Sequence, residues 1–554
     1  MTQGKHLFMQ SLIARNVRYI FGNPGTTETP LLDCLADYPQ IEYILTLHEG
    51  VAVGMADAYA LAAGQPAVLN LHVAPGLGNG LGMLYNAFTG RSPVIITAGE
   101  PDTRLRLRDP LLSHDLVAMS APFTKWSVRA ERADELPLIL HRAFKIAQDP
   151  PSGPVFIALP VNVMEEQADA RPFPPARPFT GARPDPDALQ EAASILLRAR
   201  RPVIVCGAGV SRAHAQAELV SLAERLSAPV WNTLLTSAVN FPMHHPLFRG
   251  ELTDNQAHIR HCLGEPDVVL LVGGHFFSEV FYTPTPSWPA EAAVIQIEAA
   301  PEALARNVPV TVGLVADPRE SLQELDTLVA AGATAEFQAA SAARREEYVN
   351  LRLQERQEWK RSLREGWDLR PMTIARLMTE LGPALPPNVV VVSEVNTGRR
   401  DLIRAIPFER PGDYYGSRGG GIGQGLPGAL GCRLAHPDRP LLALSSDGSA
   451  LYSIQALWTA AHYHLPITFV ILNNRAYQIV KQNLDRYRDF FGVSGSGYPH
   501  LDLTEPDIDY VQLAQGFGVP ARRVEDPTEI GPAVRAAFET EEPYLLDVLV
   551  SAGP

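Results

Sequence analysis

Cysteine is scarce in this chain, and no two cysteines lie close together. The 554 residues include only four, and they stand far apart at Cys34, Cys206, Cys262 and Cys432. No Cys-x-x-Cys pair occurs, which argues against a disulfide framework or a zinc site and favours core thiols in a reducing compartment. Long apolar runs are also missing, and residues 1–5 lack a signal-peptide core. We therefore expect a soluble, cytoplasmic protein without a membrane partner.

Positive charge is the minority charge. The chain has 47 Lys and Arg residues against 61 Asp and Glu residues, which gives a formal net charge of −14. A surface of this sign repels nucleic acid and anionic membranes, so neither is an expected partner. With 46% hydrophobic and 19% charged residues, the composition is that of a globular enzyme, and the length suits three domains.

Two segments divide the chain into three α/β domains. The first covers residues 168–187 and contains six prolines, and the second is a charged helical stretch over about 330–370. This division predicts an N-terminal domain over 1–167, a middle domain over 188–330 and a C-terminal domain over 370–554. Apolar strands alternate with helix-length segments, which predicts a doubly wound parallel sheet in each domain.

The middle domain opens with a weak dinucleotide signal. Gly207 and Gly209 form a Gly-x-Gly after an apolar strand, but the third glycine of the nucleotide-binding pattern is missing. A structural role for these glycines is favoured over a nucleotide site.

Two polar motifs in the C-terminal third predict a metal site. Asp447 and Gly448 follow an apolar strand, and Asn474 follows the next one, with a helix expected from about 450 to 463 between them. The carboxyl ends of parallel strands meet at one sheet edge, so the two side chains are placed side by side. Oxygen ligands of this kind suit Mg²⁺ that also binds phosphate. Each motif alone would be ordinary turn chemistry, but the pair across one helix favours the site.

With these motifs the chain resembles the thiamine diphosphate enzymes, whose signature is Gly-Asp-Gly followed by Asn-Asn. The resemblance implies that Asp447, Asn474 and the carbonyl of Ala476 hold Mg²⁺, although Ser446 replaces the usual first glycine. It further implies that Glu49, at the end of an apolar strand, binds the aminopyrimidine ring and activates the cofactor. The alternative for Glu49 is a solvated glutamate at a helix start.

The resemblance also assigns residues to the cofactor bed and gives the domains their names, pyrimidine-binding, middle and diphosphate-binding. The carbonyl of Gly420 corresponds to the acceptor for the pyrimidine amino group, and Ile422 to the apolar wedge that bends the cofactor. The other residues expected around the cofactor are Asn396, Thr397, Gly448, Ser449, Tyr452, Tyr477 and Gln478.

Within that family the chain most resembles the benzoylformate decarboxylase-like 2-oxo-acid decarboxylases, through residues 21–28 and 70–79. The likeness implies that Thr26, which replaces a serine, contacts the substrate carboxylate, and that His72 transfers protons. A structural histidine is the alternative for His72. The group's second histidine falls on Val280, which leaves the nearby His275 as a candidate.

The resemblance implies non-oxidative decarboxylation of a small-molecule 2-oxo acid to an aldehyde and CO₂. Ile479 and Val480 are expected to line the substrate pocket, and Ile479 together with Thr26 suggests a narrow one. An acetolactate synthase-like carboligase is the alternative, followed by a 2-hydroxyacyl lyase and a non-catalytic homologue. Because Glu49 and Asp447 lie on different domains that meet between subunits in this family, we expect at least a homodimer, and a homotetramer.

Overall fold

Each third of the chain is built around a six-stranded, all-parallel β-sheet. The structure is a computed structural model that describes residues 1–175, 181–276 and 279–552. Pro178 of the first linker, Phe277 and Ser278 next to the histidine candidate, and residues 553 and 554 of the predicted C-terminal domain lie outside the described residues. The sequence predicts a fold class of three parallel-sheet α/β domains, and the three sheets confirm it.

The N-terminal sheet has the strand order β3-β2-β4-β5-β7-β6. Its central strands are buried on both faces, as the unbroken apolar run of β7 shows. A short antiparallel pair, β1 with β8, joins the two ends of the domain. The elements are β1 (Thr2–Gln3), α1 (Gly4–Ile13), β2 (Tyr19–Gly22), α2 (Thr29–Cys34), β3 (Glu42–Leu45), α3 (Glu49–Ala63), β4 (Ala67–Leu71), α4 (Val73–Thr89), β5 (Val94–Glu100), α5 (Leu116–Ser120), β6 (Trp126–Arg129), α6 (Leu136–Gln148), β7 (Val155–Pro160), α7 (Val161–Glu165) and β8 (Gln167–Ala168).

The middle sheet has the order β11-β10-β9-β12-β13-β14, which is the order of dinucleotide-binding folds. The turn after β9 is filled by backbone, because a Cβ at Gly207 would meet Gly274 Cα at 2.4 Å. The glycines there allow two backbone segments to pack closely. The elements are α8 (Pro186–Arg198), β9 (Pro202–Cys206), α9 (Gly209–Arg212), α10 (Gln216–Leu226), β10 (Val230–Asn232), β11 (Phe248–Glu251), α11 (Gln256–Leu263), β12 (Val268–Val272), β13 (Ala293–Glu298), β14 (Val312–Val315) and α12 (Pro318–Gly332).

The C-terminal sheet has the order β16-β15-β17-β18-β20-β19. It is reached through α13 (Ala335–Glu365), a helix of 31 residues that forms most of the second predicted linker. The remaining elements are α14 (Ile374–Leu381), β15 (Val390–Glu394), α15 (Arg399–Ala405), β16 (Tyr414–Gly416), α16 (Gly425–Ala435), β17 (Leu441–Ser446), α17 (Asp447–Ala450), α18 (Ala456–His462), β18 (Thr468–Asn473), α19 (Gln478–Phe491), α20 (Tyr510–Gly516), β19 (Ala521–Val524), α21 (Ile530–Glu539) and β20 (Tyr544–Leu549).

The single helix expected over about 450–463 is wrong in its extent. The chain forms two shorter helices, α17 and α18. Between them the backbone winds through bonds of the i to i+3 type, such as the N–H of Tyr452 to the carbonyl of Ser449 at 3.2 Å. This tighter winding turns the chain before α18 begins.

Helix α3 packs against α16 and joins the first domain to the last. Small residues permit the close approach, since a Cβ at Gly54 would meet the Pro427 ring at 2.8 Å and one at Gly431 would meet the Met55 carbonyl at 2.2 Å. Beside this contact Asp57 and Arg418 form a buried ion pair, 2.6 Å between Oδ2 and Nη2.

The four cysteines are free thiols, and three of them are buried. Burial raises the pKa of Cys206 and Cys432 to about 12, so neither thiol is reactive near neutral pH. Within the part of the chain that the structure describes, no helix is both long enough and apolar enough to cross a membrane.

Candidate active site

The three predicted metal ligands lie together at the carboxyl edge of the C-terminal sheet. Strands β17 and β18 are parallel neighbours, so Asp447 after one strand faces the loop after the other. Its Oδ2 accepts from the backbone N–H groups of Asn474 at 3.1 Å and Ala476 at 3.3 Å. Its Oδ1 accepts from the N–H of Gly448 at 2.8 Å.

The chemistry of this group of ligands fits a hard divalent cation. Asp447 is only 2% exposed, and burial raises the pKa of its carboxyl to about 6, although four backbone N–H groups act in the opposite direction. A bound cation would compensate the buried charge. Carboxylate, amide and carbonyl oxygens are the ligands that Mg²⁺ prefers. Among the described residues no cluster of three His, Cys, Asp or Glu side chains could hold a metal.

The residues expected around the diphosphate border this cradle. A Cβ on Gly448 would meet Tyr477 Cε1 at 2.6 Å, so a larger residue there would displace the ring. Ser449 is buried in α17, whereas Tyr452 is exposed and its Cβ backs onto Gly423.

A glycine loop over residues 419–423 lies next to these residues, with Gly423 against Tyr452. Gly419 and Gly420 have φ values of +67° and +92°, in the left-handed region that favours glycine. The Asn86 side chain of α4 holds the loop, because its Nδ2 donates to the Gly421 carbonyl at 2.9 Å and its Oδ1 accepts from the Gly421 N–H at 3.0 Å. Ile422 is half-buried in the loop.

Glu394 fixes this loop to the end of β15. It is 1% exposed, and its carboxylate accepts from the N–H groups of Gly423 at 2.7 Å and Gly425 at 2.8 Å. Burial raises its pKa to about 7, although these bonds lower it. Asn396 and Thr397 follow directly and border a large cavity.

In the N-terminal domain, Glu49 begins α3 and is 6% exposed. Its Oε1 accepts from Asn23 Nδ2 at 3.2 Å and its Oε2 from Asn79 Nδ2 at 3.0 Å. Two neutral amides therefore orient the carboxylate. A freely solvated glutamate, the alternative for this residue, does not describe such an environment.

His72 is held by a buried carboxylate. Its Nδ1 lies 2.6 Å from Glu28 Oε2, and Glu28 is fixed by the N–H groups of Gly25 at 2.9 Å and Gly99 at 2.8 Å. With Nδ1 bonded to Glu28, a neutral imidazole presents Nε2 as its acceptor. A purely structural histidine, which is the alternative for His72, would not need its ring to be oriented in this way.

His72 and Glu49 are near neighbours on either side of one glycine. A Cβ at Gly76 would lie 3.0 Å from Glu49 Oε1 and 3.2 Å from His72 Cβ. Val73, directly after His72, has a φ of +38°, which is strained for a β-branched residue. Strain of this kind accumulates at functional sites.

Four other candidate residues are exposed or half-buried. Thr26 is exposed in a short 3₁₀ helix, Thr26–Glu28. At the start of α19, Gln478 and Ile479 are half-buried and Val480 is exposed.

His275 is not brought to His72 within the chain. It is exposed, and the side chains of Arg306 and Arg91 act on it electrostatically. Arg91 follows the far end of α4, whereas His72 precedes its first residue. A helix of 17 residues spans about 25 Å, so the two histidines lie at opposite ends of it.

Sequence reasoning missed five side chains that orient the site. Asn23 and Glu28 lie inside the motif at 21–28 and Asn79 inside the one at 70–79, so the motifs themselves carried a signal. Glu394 stands next to the predicted Asn396, and nothing in the local sequence distinguishes Asn86.

The chain is similar over its whole length to known proteins. Residues 2–119, 189–325 and 398–548 match, in turn, the N-terminal TPP binding, central and C-terminal TPP binding domains described for thiamine pyrophosphate enzymes. Benzoylformate decarboxylase from Pseudomonas aeruginosa is 35% identical over 96% of this chain and 95% of that protein. The large subunit of acetolactate synthase isozyme 1 from Escherichia coli is 27% identical over 99% and 94%.

A solved structure is also similar to this chain over its whole length. The thiamine diphosphate-dependent 4-hydroxybenzoylformate decarboxylase from Rhodococcus jostii RHA1 has a TM-score of 0.85 and 29% identity, with 99% of each chain covered.

Proposed function

Because this chain belongs to the thiamine pyrophosphate enzyme family, we propose that it decarboxylates a 2-oxo acid and releases an aldehyde, using Mg²⁺ with the cofactor. The observation that carries this proposal is the pairing of His72 with buried Glu28, next to Glu49. Release of an aldehyde requires a proton to be delivered, and an imidazole held by a carboxylate is suited to deliver it.

The C-terminal residues hold the cofactor in this proposal. Asp447, Asn474 and the carbonyl of Ala476 would hold Mg²⁺, whose preference for oxygen ligands also suits a diphosphate. When bound, thiamine diphosphate supplies the electron sink for the departing CO₂. The other binding residues are Asn396, Thr397, Gly448, Ser449, Tyr452, Tyr477 and Gln478, with Gly420 and Ile422 at the rings.

The N-terminal residues move protons. Glu49, oriented by two amides, would hold the aminopyrimidine ring by a hydrogen bond and exchange a proton with it. His72 holds a proton at Nε2 and gives it to the product, while Glu28 stabilises the protonated ring. Thr26 offers a hydroxyl to the substrate carboxylate, and Ile479 and Val480 limit the size of the acyl group.

A carboligase of the acetolactate synthase type is the second candidate. Val280 stands where the benzoylformate decarboxylase-like group has its second histidine, so a second histidine for protonation is not evident at this position. The similarity to an acetolactate synthase subunit favours the same candidate. In a carboligase a second carbonyl compound takes the place of the proton.

A product assay separates the two reactions. The purified protein, with thiamine diphosphate and Mg²⁺, receives benzoylformate, pyruvate or a branched 2-oxo acid alone, and then with an acceptor aldehyde. We expect CO₂ and free aldehyde in equal amounts from one acid alone. Formation of a hydroxyketone, or release of CO₂ only when an acceptor is present, would show that the enzyme is a carboligase and not a decarboxylase.

The role of Glu49 has its own test. Glu49→Gln keeps the shape but cannot exchange the proton, so it should retain thiamine diphosphate and lose roughly 10²- to 10⁴-fold in kcat. Asp447→Ala, the comparison variant, should lose cofactor and metal together in equilibrium dialysis. Unchanged turnover in Glu49→Gln would refute the assigned role.

We further propose that the enzyme is at least a homodimer and forms a homotetramer. Glu49 begins α3 in the first domain and Asp447 begins α17 in the last, and this proposal places the two at one active site where two subunits meet. Light scattering on the active enzyme tests this, and a fully active monomer would contradict it.

A further inference from the structure

Asn473, the first residue of the Asn-Asn motif, is not one of the predicted metal ligands. It is the last residue of β18 and is only 3% exposed. Its side-chain Oδ1 accepts from the backbone N–H of Arg475 at 3.2 Å. An asparagine that bonds the backbone two residues further on forms an Asx-turn. Asn473 thereby caps the turn on which Asn474 and Ala476 lie.

This turn needs a cap because its backbone is strained at Arg475. The φ of Arg475 is +59°, in the left-handed region that costs a residue with a Cβ about 1–2 kcal/mol. With the chain turned in this way, the N–H groups of Asn474 and Ala476 donate to Asp447 Oδ2 at 3.1 and 3.3 Å. A bond that keeps Arg475 in this conformation therefore also keeps two of the expected ligands beside the third.

A buried carboxylate fixes the amide of Asn473. Its Nδ2 donates to Oδ1 of Asp547 at 3.0 Å. Asp547 lies on the neighbouring strand β20, two residues before the position opposite Asn473, and it is 0% exposed. Arg523 lies directly opposite Asp547 on β19, and its Nε donates to Asp547 Oδ2 at 2.8 Å. Three side chains therefore form a continuous chain of hydrogen bonds across three strands.

Packing alone does not explain a carboxylate on β20. The residues on either side of Asp547, Leu546 and Val548, are fully buried apolar side chains. A charge buried among such residues is costly unless it is paired, and replacing a buried ion pair with apolar residues is often neutral or stabilising. An apolar residue, however, could not accept from Asn473. The position of Asp547 is therefore explained by the amide that it holds.

Backbone hydrogen bonds also hold this turn. The N–H of Tyr477 donates to the carbonyl of Leu501 at 2.9 Å. The N–H of Leu503 donates to the carbonyl of Arg475 at 2.7 Å. Because such bonds do not depend on side chains, loss of the Asn473 side chain should loosen the turn without detaching the segment.

We propose that Asp547 is a positioning residue of the metal site, which acts through Asn473 and is itself held by Arg523. The proposal rests on the metal role proposed above for the three ligands. Side chains that orient metal ligands from behind set metal affinity, and losing one typically costs roughly 10- to 100-fold in that affinity.

Metal affinity measured without turnover tests the proposal. Mn²⁺ stands in for Mg²⁺, because carboxylate and carbonyl oxygens suit both ions, and its EPR signal reports the free ion. It is titrated into the full-length protein saturated with thiamine diphosphate. Asp547→Asn keeps the size of the side chain but loses the charge that pairs with Arg523, so it should bind Mn²⁺ roughly tenfold more weakly. Asn473→Ala, which also removes the cap, should lose roughly 10- to 100-fold.

Two results of this titration would contradict the expectation in different ways. If both variants bind Mn²⁺ as tightly as the wild type does, the positioning role of Asp547 is wrong while the metal site stands. If the wild type itself does not bind Mn²⁺, the metal role proposed for Asp447 is refuted, and the positioning role with it.

An ion pair in the middle domain serves as a matched control for stability. Asp326 of α12 accepts from Arg225 Nη2 at 3.1 Å and from Ser221 Oγ at 2.8 Å. Asp326→Asn and Asp547→Asn should both lower the melting temperature, but only Asp547→Asn should weaken Mn²⁺ binding. If the two variants weaken Mn²⁺ binding equally, a general loss of stability explains the effect, and the proposal fails.

Excess metal provides a second readout. If Asp547 positions the ligands and does not take part in the reaction, saturating Mg²⁺ should restore kcat in Asp547→Asn. The Mg²⁺ concentration that gives half-maximal activity should rise roughly tenfold. A kcat that stays low at saturating Mg²⁺ would overturn the proposal, because it would assign Asp547 to another step.

Discussion

At the scale of the residue, the candidate site depends on glycines at positions where a side chain would not fit. Helix α4 contains several glycines, and only some of them border catalytic candidates. Gly76 fills the gap between Glu49 and His72, whereas an added Cβ at Gly78 would meet no atom within 4 Å. The same residue type therefore has two different roles on one helix.

This contrast gives a matched pair of substitutions. In Gly76→Ala the new methyl group would lie 3.0 Å from Glu49 Oε1 and would displace the carboxylate, so kcat should fall between about tenfold and 100-fold. Gly78→Ala should leave kcat unchanged and stabilise the helix by about 0.5–1 kcal/mol. Steady-state kinetics and thermal melting of both variants check the expectation. Equal activities would mean that Glu49 tolerates the displacement.

Residue types and spacing predicted Asp447 and Asn474 at this site, and the family resemblance added Ala476, Glu49 and His72. The three expected metal ligands lie together in the structure, and His72 lies beside Glu49. The partner Asn86 could not be predicted, because it reaches Gly421 through tertiary packing that local sequence does not encode, whereas Asn23 and Asn79 lie inside the two motifs.

At the scale of the element, Glu394 ties the end of β15 to the start of α16. Three backbone N–H groups at this helix start point to its carboxylate, and the helix dipole favours the negative charge. Burial outweighs these effects and raises its pKa to about 7 from an ordinary value of 4.5.

The raised pKa of Glu394 predicts a pH dependence of stability. The folded chain keeps this proton at pH values where the unfolded chain has lost it, so stability falls as pH rises from about 4.5 to about 7 and is then constant. The total change is on the order of 3 kcal/mol.

Melting temperatures measured between pH 5 and pH 8 would test this. Glu394→Gln cannot titrate, so its melting temperature should fall less with rising pH. Any change in stability that the amide causes is the same at every pH. Glu539→Gln changes an exposed glutamate of α21 and should keep the slope of the wild type. A parallel slope in all three proteins would assign the effect to other groups.

Element boundaries show where prediction from sequence stops. Strand β7 covers 155–160 as the apolar run indicates, because a buried parallel strand needs only such a run. The expected helix over 450–463 divides into α17 and α18, because the turn between them depends on packing beyond the local pattern.

At the scale of the whole molecule, the first and last sheets share one topology. Taken in chain order, each sheet places its second main strand at one edge and its fifth at the other, with its first, third, fourth and sixth between them. Thr26 and His72 follow β2 and β4 in one domain, and Asn396 and Asp447 follow the corresponding strands β15 and β17 in the other, where the strand order reverses. No sequence repeat reveals this correspondence, because strand order is set by long-range pairing. The domain limits at 167, 188, 330 and 370 stay a prediction.

The two domains are joined by a buried ion pair that should be essential to the whole molecule. Asp57 on α3 and Arg418 before the glycine loop are 2% and 6% exposed, and Ser92 also donates to Asp57. Asp57→Ala leaves the arginine buried and unpaired, which should cost about 3–5 kcal/mol. The glycine loop should loosen at the same time, so affinity for thiamine diphosphate should fall with the melting temperature.

A double variant that lacks both charges distinguishes the effect of losing the ion pair from the effects of losing each side chain. Because Asp57→Ala/Arg418→Met leaves no unpaired charge, its loss of stability should be smaller than the sum of the two single losses. Arg132→Ala removes an exposed arginine from a surface ion pair and should not change the melting temperature. If the double variant shows the full sum, the two side chains act independently, and the contact between α3 and α16 rather than the ion pair holds the domains together.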